Sequence, residues 1–513
     1  MRVSTNGGLV TENWFDLNAS RYTPSSTLQR MELLKTGYMG TLSLGWDNYL
    51  FLELTGRQER SSTLKDQSFF YPSANLSFLF TQAFHMPSWW NYGKLRLSYG
   101  IVGNAPETYT ANIVYEQGSD NGFTWNTIPS SWGNADIRPE KKYEYEIGLE
   151  SKFLNNRLGI DISYYNNRVK DQILSTPQPS TSGVKNVLMN VGEVANHGWD
   201  ISISATPILT RDFRWDLTAN YGVYKNKVVK LADGVPYLEI LNSGGSGIKI
   251  QAVEGQPMGD IYAQVPQVNE NGEYLVSDKG LYLNQTELQK VGNINPAGVG
   301  GLFNSFSYKN VFLDFSIDFR IGGDVINEMN QYATAVGLTP ESLKYRDTEH
   351  GGLSYYYPGD NNSSGIPVQV DPSTGAGPNG EIIYHDGIIL PGVVASTGER
   401  NTRIIPAGYY YNTTYNWGTE AEQLTYRHSV FDNSYVKLRE LTIGYQFPEK
   451  MISKLGLGRL SVSVFGRNLF YFYKALKNYD AESSVGTSWA NQATVGSSTT
   501  ATRSFGVSLR ASF

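Results

Sequence analysis

The sequence predicts an all-β protein, specifically an antiparallel transmembrane β-barrel, and two observations lead to this fold class. First, the segment from Arg503 to Phe513 has apolar residues at odd positions and small or polar residues at even ones. This is the period of a strand with two different faces. Second, short and long connections alternate along the chain. Outer-membrane barrels sort their connections in this way, with short periplasmic turns and long extracellular loops, whereas soluble sandwiches do not.

The composition is typical of such a barrel. Of 513 residues, 35 are Tyr, 22 are Phe and 10 are Trp, so that 13% are aromatic, yet the mean hydropathy is only -0.35. Barrels combine lipid-facing residues at alternate positions with aromatic girdles at both interfaces. No apolar run approaches the roughly 18 residues that a spanning helix needs, and a helical membrane protein is therefore excluded.

Several functional classes lack support in the sequence. The net charge is -6 and no long basic run occurs, so nucleic-acid binding has no electrostatic basis. There are no cysteines, which excludes disulfides and thiolate metal sites. The five histidines lie outside metal-binding and phosphate-binding motifs; they are His85, His197, His350, His385 and His428. We therefore expect no enzyme, no catalytic residue, no cofactor and no metal.

The periodicity predicts about 14 strands, starting with a loose alternation from Leu9 to Tyr22 and ending at Phe513. Tight turns are predicted where Asn and Asp, which tolerate turn conformations, occur between strands: Asp47-Asn48, Asn155-Asn156 and Lys309-Asn310. The longest connection, 322–434, is predicted to be an extracellular insertion with a helix from Asp324 to Val336.

The strand from Tyr435 to Phe447 breaks its own period. Val436 and Leu438 are apolar at even positions, but apolar residues further along are at odd positions, so the apolar face changes sides near Arg439-Glu440. A β-bulge would cause such a change. The alternative is that the charged side chains form a cluster at the barrel interior or rim; they are Lys437, Arg439 and Glu440.

Several short blocks of sequence occur in a fixed order from about Thr41 to Phe513 and so cover most of the chain. They are Thr55-Gly56-Arg57 with Ser61-Ser62-Thr63-Leu64, Phe70-Tyr71-Pro72-Ser73, Asn190-Val191-Gly192-Glu193-Val194 with Asn196 and Gly198, Gly255-Gln256-Pro257-Met258-Gly259, Tyr435-Val436-Lys437-Leu438-Arg439-Glu440-Leu441 with Gly444-Tyr445 and Pro448, and Gly466-Arg467-Asn468-Leu469. In order and spacing these blocks resemble the SusC/RagA family of TonB-linked transporters.

The resemblance implies a 22-stranded barrel with an N-terminal plug, in the outer membrane of a Gram-negative, Bacteroidota-like bacterium. Implied partners are a SusD-like surface lipoprotein, TonB and outer-membrane lipid, and the implied cargo is an oligosaccharide or a peptide. The chain departs from the family pattern in lacking a secretory signal, a recognisable TonB box, a plug and roughly eight strands. We therefore expect residues 1–513 to be the C-terminal part of the barrel, with an open seam or a forced closure.

Aromatic residues amid Asn, Ser and Gly in the predicted loops are candidates for contact with cargo or a protein partner, because such mixtures suit both kinds of surface. They are Trp125, Trp132, Tyr355, Tyr356, Tyr357, Tyr409, Tyr410, Tyr411, Trp417 and Trp489. The alternative to a transporter is a soluble or surface β-rich glycan-binding protein.

Overall fold

The computed structural model describes residues 2–27, 30–65, 68–120, 123–243, 247–359, 365–416, 425–453, 456–484, 486, 488–496 and 501–512. Its main feature is a 13-stranded antiparallel sheet in which each strand pairs with the next one along the chain. The strands are β1 (Lys35–Trp46), β2 (Leu50–Ser61), β3 (Ser68–Phe78), β4 (Trp90–Asn104), β5 (Glu140–Phe153), β6 (Leu158–Lys170), β7 (Glu193–Leu209), β8 (Phe213–Lys230), β9 (Gly298–Tyr308), β10 (Val311–Ile321), β11 (Tyr435–Gln446), β12 (Arg459–Lys474) and β13 (Ser504–Ser512).

This up-and-down order confirms the predicted antiparallel barrel. The sheet is not closed by its own ends, since within the described residues β1 and β13 are the two edges and do not pair with each other. That arrangement is the open seam expected from the sequence.

The predicted first strand, from Leu9 to Tyr22, is wrong, and the sheet therefore has 13 strands where about 14 were predicted. Arg2–Leu9 and Ser20–Thr27 form a separate hairpin, with a 3₁₀ turn at Leu17–Ala19. The Asp16 carboxylate accepts a hydrogen bond from the Asn18 N–H at 2.8 Å. This local bond stabilises a turn in place of an extended strand.

Because successive strands are antiparallel, the connections alternate between two ends of the sheet. The turn end carries 47–49, 79–89, 154–157, 210–212, 309–310 and 447–458, and the loop end carries 62–67, 105–139, 171–192, 231–297, 322–434 and 475–503. The 62–67 connection is an exception to the sorting, since it is shorter than two of those at the turn end. The predicted tight turns are confirmed, with positive φ at Asp47, Asn48, Asn155, Asn156 and Lys309.

One face of the sheet is apolar and exposed, as a lipid-facing surface requires. Ile147 pairs with Leu97 on one side and with Tyr164 on the other. Near the last strands Val464 pairs with Val507, and Val507 is 71% exposed. In water such a surface would be unfavourable, whereas in a membrane it contacts lipid tails.

Aromatic side chains cluster at the turn end. The Trp89 and Trp90 rings are stacked with centroids 6.0 Å apart, and Trp90 also contacts Phe153 at 5.4 Å. Further round the sheet, Trp215 stacks on Phe306 at 5.5 Å. This rim is typical of an aromatic girdle at a membrane interface. Phe513, the last residue of the predicted terminal strand, lies outside the described residues.

The remaining elements are small and most lie in the connections. The helices are α1 (Phe80–Ala83), α2 (Glu328–Ala335), α3 (Ala407–Tyr415) and α4 (Glu449–Ile452). The remaining strands are Glu116–Asp120, Phe123–Thr127, Ser131–Trp132, Ile173–Pro177, Asn186–Asn190, Tyr237–Ser243, Ile248–Val253, Asp260–Ala263, Leu275–Val276, Gln289–Asn293, Asp324–Ile326, Leu353–Tyr356, Val368–Gln369, Tyr384–Ile388, Val393–Val394, Ile405–Pro406 and Val430–Asp432. No helix in the described part of the chain has both the length and the apolar character needed to cross a membrane.

The helix predicted from Asp324 to Val336 is shorter in the structure. Residues Asp324–Ile326 pair with Val430–Asp432 as a strand, and α2 begins only at Glu328. The Asn327 side chain caps it, accepting from the Asn330 N–H at 3.0 Å, which satisfies one of the free donors of the first turn.

Three long connections fold together at the loop end and share one apolar core. We call 231–297, 322–434 and 475–503 the loop module. Ile248, Ile250 and Ile261 contribute from the first connection, Ile326, Tyr426 and Val430 from the second, and Ala490 and Ala493 from the third. A shared core of this kind makes the three connections a folded unit that is continuous with the barrel wall.

Because only one face of the sheet is apolar and exposed to lipid, a new charge on that face should destabilise the barrel more than a new charge on the other face. We expect Ile147→Arg, in the middle of β5, to destabilise the membrane-embedded barrel by about 2–4 kcal/mol. The matched control is Ser98→Arg, because Ser98 pairs with Glu146 on the opposite face. The measurement is the fraction of full-length protein that is assembled and heat-modifiable in outer membranes. Equal losses in both variants would contradict the assignment of the two faces.

Candidate functional site

The polar face of the sheet carries a cleft of about 670 Å³. Tyr221 and Tyr435 contribute to its lining, and its charged and small polar side chains come from β4, β6, β7, β8 and β10: Arg96, Asp161, Ser163, Asp200, Ser202, Asn220 and Asp318. Three of these are carboxylates and one is a cation. The cleft therefore offers mainly acceptors and small hydroxyl and amide groups, which suits a solute with many hydroxyl or amide donors.

Arg96 is the only cation lining this cleft among the described residues, and it is held by the wall itself. Its guanidinium donates to Asp161 at 2.6 Å and to Ser163 at 3.1 Å, and lies 3.5 Å from Glu150. Gly148 makes room for it, since a Cβ there would lie 2.8 Å from the guanidinium. The arginine is thus fixed by carboxylates on neighbouring strands.

A β-bulge is present in β11 at the point where the apolar face changes sides. On β10, Ser316 pairs with Glu440 and Ile317 with Leu438, so that Arg439 has no partner in the register. On β12 the register shifts at the same place. The extra residue reverses the parity of the strand, which keeps apolar residues on the lipid face both above and below it.

The alternative prediction, a charged cluster, is confirmed for Lys437 and Arg439, which meet at the same bulge, but not for Glu440, which lies 3.4 Å from Arg467 instead. The Arg439 guanidinium donates to Glu482 at 2.6 and 2.8 Å and to Asp318. The Lys437 ammonium, on a side chain with almost no exposure, reaches Glu482 at 2.6 Å. Glu482 belongs to the connection 475–503, so the cluster ties the loop module to the barrel wall.

Glu482 is the central anion of this cluster. Hydrogen bonds from Arg439, and then from Lys437, lower the pKa of its carboxyl to about 2. The neighbouring Tyr471 ring lies 4.7 Å from the Lys437 ammonium. The carboxylate is therefore charged throughout the neutral range and remains paired with both cations.

Two of the aromatic residues predicted to face cargo are inside the loop module. Tyr355 and Tyr357 are 1% and 5% exposed. Tyr355 stacks on Tyr384 at 5.5 Å and its hydroxyl donates to Asp386 at 3.1 Å. Tyr356 is half-buried between them. This group forms a core of the module, with only the edge of Tyr357 reaching a cavity.

The tyrosines of α3 are divided between core and surface. Tyr411 is buried and its hydroxyl donates to the Glu341 carbonyl at 2.7 Å. Tyr409 and Tyr410 are half-buried and pack on an apolar cluster that includes Leu281. These rings stabilise the junction of two connections, and Tyr409 also lines a cavity.

The predicted tryptophans lie apart from these tyrosines. Trp125 is 46% exposed on the strand Phe123–Thr127, and Trp132 packs edge-on against Tyr115 at 5.9 Å; both belong to the connection 105–139. Trp489 is 37% exposed in 475–503. Trp417 lies outside the described residues. The structure therefore does not bring all ten predicted aromatic residues into one site.

A second cavity, of about 320 Å³, does combine two of the predicted tyrosines. We call it the loop pocket. Its lining includes Lys279, Tyr357, Pro367, Arg403, Pro406 and Tyr409. The sequence analysis missed the two cations, since they occur in different connections and no motif links them. In the described part of the chain no group of three or more His, Asp or Glu is placed to hold a metal ion.

The Glu482 cluster predicts a pH-dependent attachment of the connection 475–503. The folded pKa of Glu482, about 2, is below its ordinary value of 4.5, so its contribution to stability is complete above about pH 4.5 and is lost as the pH falls towards 2. We expect the protection factors of amide hydrogen exchange in 475–484, which correct for the intrinsic pH dependence of exchange, to be high at pH 6 and to fall across that window.

Glu482→Gln should accelerate exchange in the same segment at pH 6 by roughly tenfold or more, because hydrogen bonds to charged groups contribute about 1.5–3 kcal/mol. The same substitution should also remove the pH dependence of the protection factors in this segment. Glu349→Gln, in an exposed turn of another connection, is the control. Unchanged exchange in Glu482→Gln would contradict the proposed attachment.

Comparison with known proteins identifies the fold. The model of the family "TonB dependent receptor-like, beta-barrel" matches residues 5–269. TonB-dependent receptor P3 of Formosa agariphila is 24% identical over 494 residues, which are 88% of this chain and 42% of that protein. TonB-dependent receptor SusC of Bacteroides thetaiotaomicron is 30% identical over 247 residues, 44% of this chain and 24% of that protein. The chain thus spans less than half the length of these relatives.

Solved structures agree in fold. The structure of the RagAB peptide transporter matches with a TM-score of 0.65 at 18% identity, over 92% of this chain and 48% of that one. The RagAB peptide importer in its "open-open" state gives a TM-score of 0.66, also at 18% identity, over 98% of this chain and 50% of that one. At this level of identity the match shows the fold alone.

The sequence resemblance to the SusC/RagA family is confirmed by these relatives, and the alternative of a soluble β-rich protein is not supported. The family model covers more than half of the chain, and the 13 sequentially paired strands have the architecture that it describes. The chain belongs to the TonB dependent receptor-like β-barrel family.

Proposed function

We propose that this chain is the C-terminal barrel part of an outer-membrane transporter that imports oligosaccharides or peptides. The observation that carries the proposal is the pairing of an exposed apolar face with a polar cleft on the opposite face of the same strands. One face suits lipid, and the other suits a hydrated solute passing along the wall. The loop module then lies at the extracellular end and the tight turns in the periplasm.

The energy for import is proposed to come from TonB. The family is named for this dependence, and the matched relatives are more than twice as long as the region they share with this chain. We place the contact with TonB, and the plug, in parts of the protein outside residues 1–513. The barrel part described here would supply the wall, the cleft and the outer surfaces.

A SusD-like surface lipoprotein is the proposed partner, and α2 in the insertion 322–434 is the surface proposed to contact it. An ordinary surface helix buries its apolar face and exposes its polar face, whereas α2 does the opposite. Met329, Tyr332 and Val336 are exposed, whereas Gln331 and Thr334 are buried. Exposed apolar groups at this spacing share one face, and a contiguous apolar surface commonly marks a protein interface.

The cargo is proposed to be an oligosaccharide or a peptide. The acceptors of the polar cleft would bind the hydroxyl or amide donors that both polymers carry. The partly exposed aromatic rings at the loop end, such as Trp125 and Trp489, could stack on sugar rings or on peptide groups. The RagAB neighbour is described as a peptide transporter, while SusC is named only as a receptor.

Import is tested by deleting the gene in its host and measuring growth and uptake on a panel of oligosaccharides and peptides. We expect growth on one cargo class to be lost and to be restored by the complete gene. The full-length product should fractionate with the outer membrane and need detergent for extraction. Recovery in the soluble fraction, or normal growth on every cargo, would count against the proposal.

The lipoprotein contact is tested by replacing exposed apolar residues of α2. We expect Met329→Asp with Val336→Asp to reduce co-purification of the surface lipoprotein by roughly tenfold or more, since burying an unpaired charge in an interface costs at least the roughly 1.4 kcal/mol that corresponds to a factor of ten. Ile113→Asp, at an exposed apolar position of the connection 105–139, is the matched control. Unchanged co-purification of the α2 variant would exclude this surface.

A further inference from the structure

We propose that the loop pocket binds the anionic group of the cargo, a carboxylate or a sulfate. This inference rests on the proposed import function and deepens it, because it assigns a chemical class to part of the cargo. The pocket is formed by two connections of the loop module, since Lys279 comes from 231–297 whereas Arg403 and Tyr409 come from 322–434.

The chemistry of Arg403 carries the argument. Its Nε atom is buried and has no hydrogen-bond partner among the described residues. A buried donor without a partner is unfavourable, and more so when the group is charged. A ligand acceptor in the pocket would satisfy this N–H, whereas the apolar residues Ile404 and Ile405 beside it cannot.

The backbone and the side-chain stem of Arg403 are held by their surroundings. The Arg403 backbone N–H donates to the Asn401 side-chain oxygen at 3.0 Å. The stem packs on Gly280, where a Cβ would lie 3.1 Å from the Arg403 Cγ and 2.9 Å from the Ile405 Cγ2. Gly280 has φ +85°, a conformation that glycine adopts without strain. The base of the arginine is thus fixed at the pocket, which reduces the entropy lost on binding.

The charge of the pocket selects an anion. An arginine fork binds two oxygens of a carboxylate or a sulfate through two hydrogen bonds, and the Lys279 ammonium adds a second positive charge. None of the described residues that line the pocket is acidic. The polar cleft in the wall is different, because it contains Asp161, Asp200 and Asp318. The two surfaces therefore have opposite charge preferences.

The size and the walls of the pocket limit what accompanies the anion. A volume of about 320 Å³ is near the lower end of small-molecule sites, which span roughly 300–1,000 Å³. Tyr357, Tyr409, Pro367 and Pro406 give it ring-shaped apolar walls. It suits one acidic or sulfated sugar unit, or one amino-acid residue with its terminal carboxylate, as the leading unit of a longer cargo.

The test is calorimetric titration of the full-length transporter, purified in detergent, with three anions and their neutral counterparts. The pairs are glucuronate with glucose, glucose 6-sulfate with glucose, and N-acetyltyrosine with its amide. We expect at least one anion to bind more than roughly tenfold tighter than its counterpart, in line with the strength of charged hydrogen bonds. The pair in which the anion binds more tightly than its neutral counterpart shows whether the anionic group belongs to an acidic sugar, a sulfated sugar or a peptide.

Arg403→Gln should weaken binding of that anion by roughly tenfold to a hundredfold, and Arg403→Lys by less, because it keeps the charge but not the fork. Arg400→Gln, exposed in the same connection and outside the pocket, should bind as the unmodified protein does. Arg403→Lys keeps the test decisive if Arg403→Gln does not fold.

Equal affinity for charged and neutral probes, or equal binding by the Arg403 and Arg400 variants, would overturn the inference. Uptake in cells separates this failure from failure of the proposed function. If import requires the gene but the Arg403 and Arg400 variants bind the anion with equal affinity, only the proposed role of the loop pocket is wrong. If deletion of the gene leaves every uptake unchanged, the proposed import function is wrong.

Discussion

The backbone hydrogen bonds of the strands are the constraint on which the rest of the structure depends. In a lipid environment each N–H and C=O must find a partner within the protein, and the sequential antiparallel pairing of β1 to β13 provides it for every inner strand. The outer edges of β1 and β13 still expose such groups. Membrane insertion therefore depends on partners for these two edges as much as on the apolar face.

Once the backbone is paired, the two-residue period of the strands separates two environments. Apolar side chains such as Ile147 lie on the lipid side, and Arg96 with its carboxylates lies on the other. Long connections at the loop end are then free to fold, and they do so around Ile248 and Ile326 as a single core. The proposed functions follow from this separation, since passage uses the wall and recognition uses the loop module.

The sequence predicts the sheet well because periodicity and turn residues are local signals. Asp47-Asn48 and Lys309-Asn310 form the expected turns, and the break in period near Arg439 marks a real bulge. The segment from Leu9 to Tyr22 misleads, because its short alternation is interrupted by a turn that Asp16 stabilises. Only contacts between strands distant in sequence could have shown that it is excluded from the sheet.

The candidate site is less predictable, because its residues meet through tertiary folding. Aromatic composition points to the loops but does not separate Tyr355, which is buried in a core, from Tyr356, which is partly exposed. The partnership of Arg403 with Lys279 in the loop pocket has no local signature. Likewise, the break in period marks Arg439 as unusual, but nothing near it in the sequence indicates that its carboxylate partner is Glu482.

The bulge at Arg439 also constrains how this barrel can change over time. Residues below it, such as Ile443, and residues above it, such as Val436, lie on the same face of the sheet only because one extra residue separates them. Deleting that residue would exchange the lipid-facing and interior-facing side chains over half of β11. The buried Lys437 would then face lipid. A one-residue insertion or deletion within β11 would therefore disturb the sheet more than one in a connection, and a chimaera between relatives would need matching bulges on both sides of any junction within this strand.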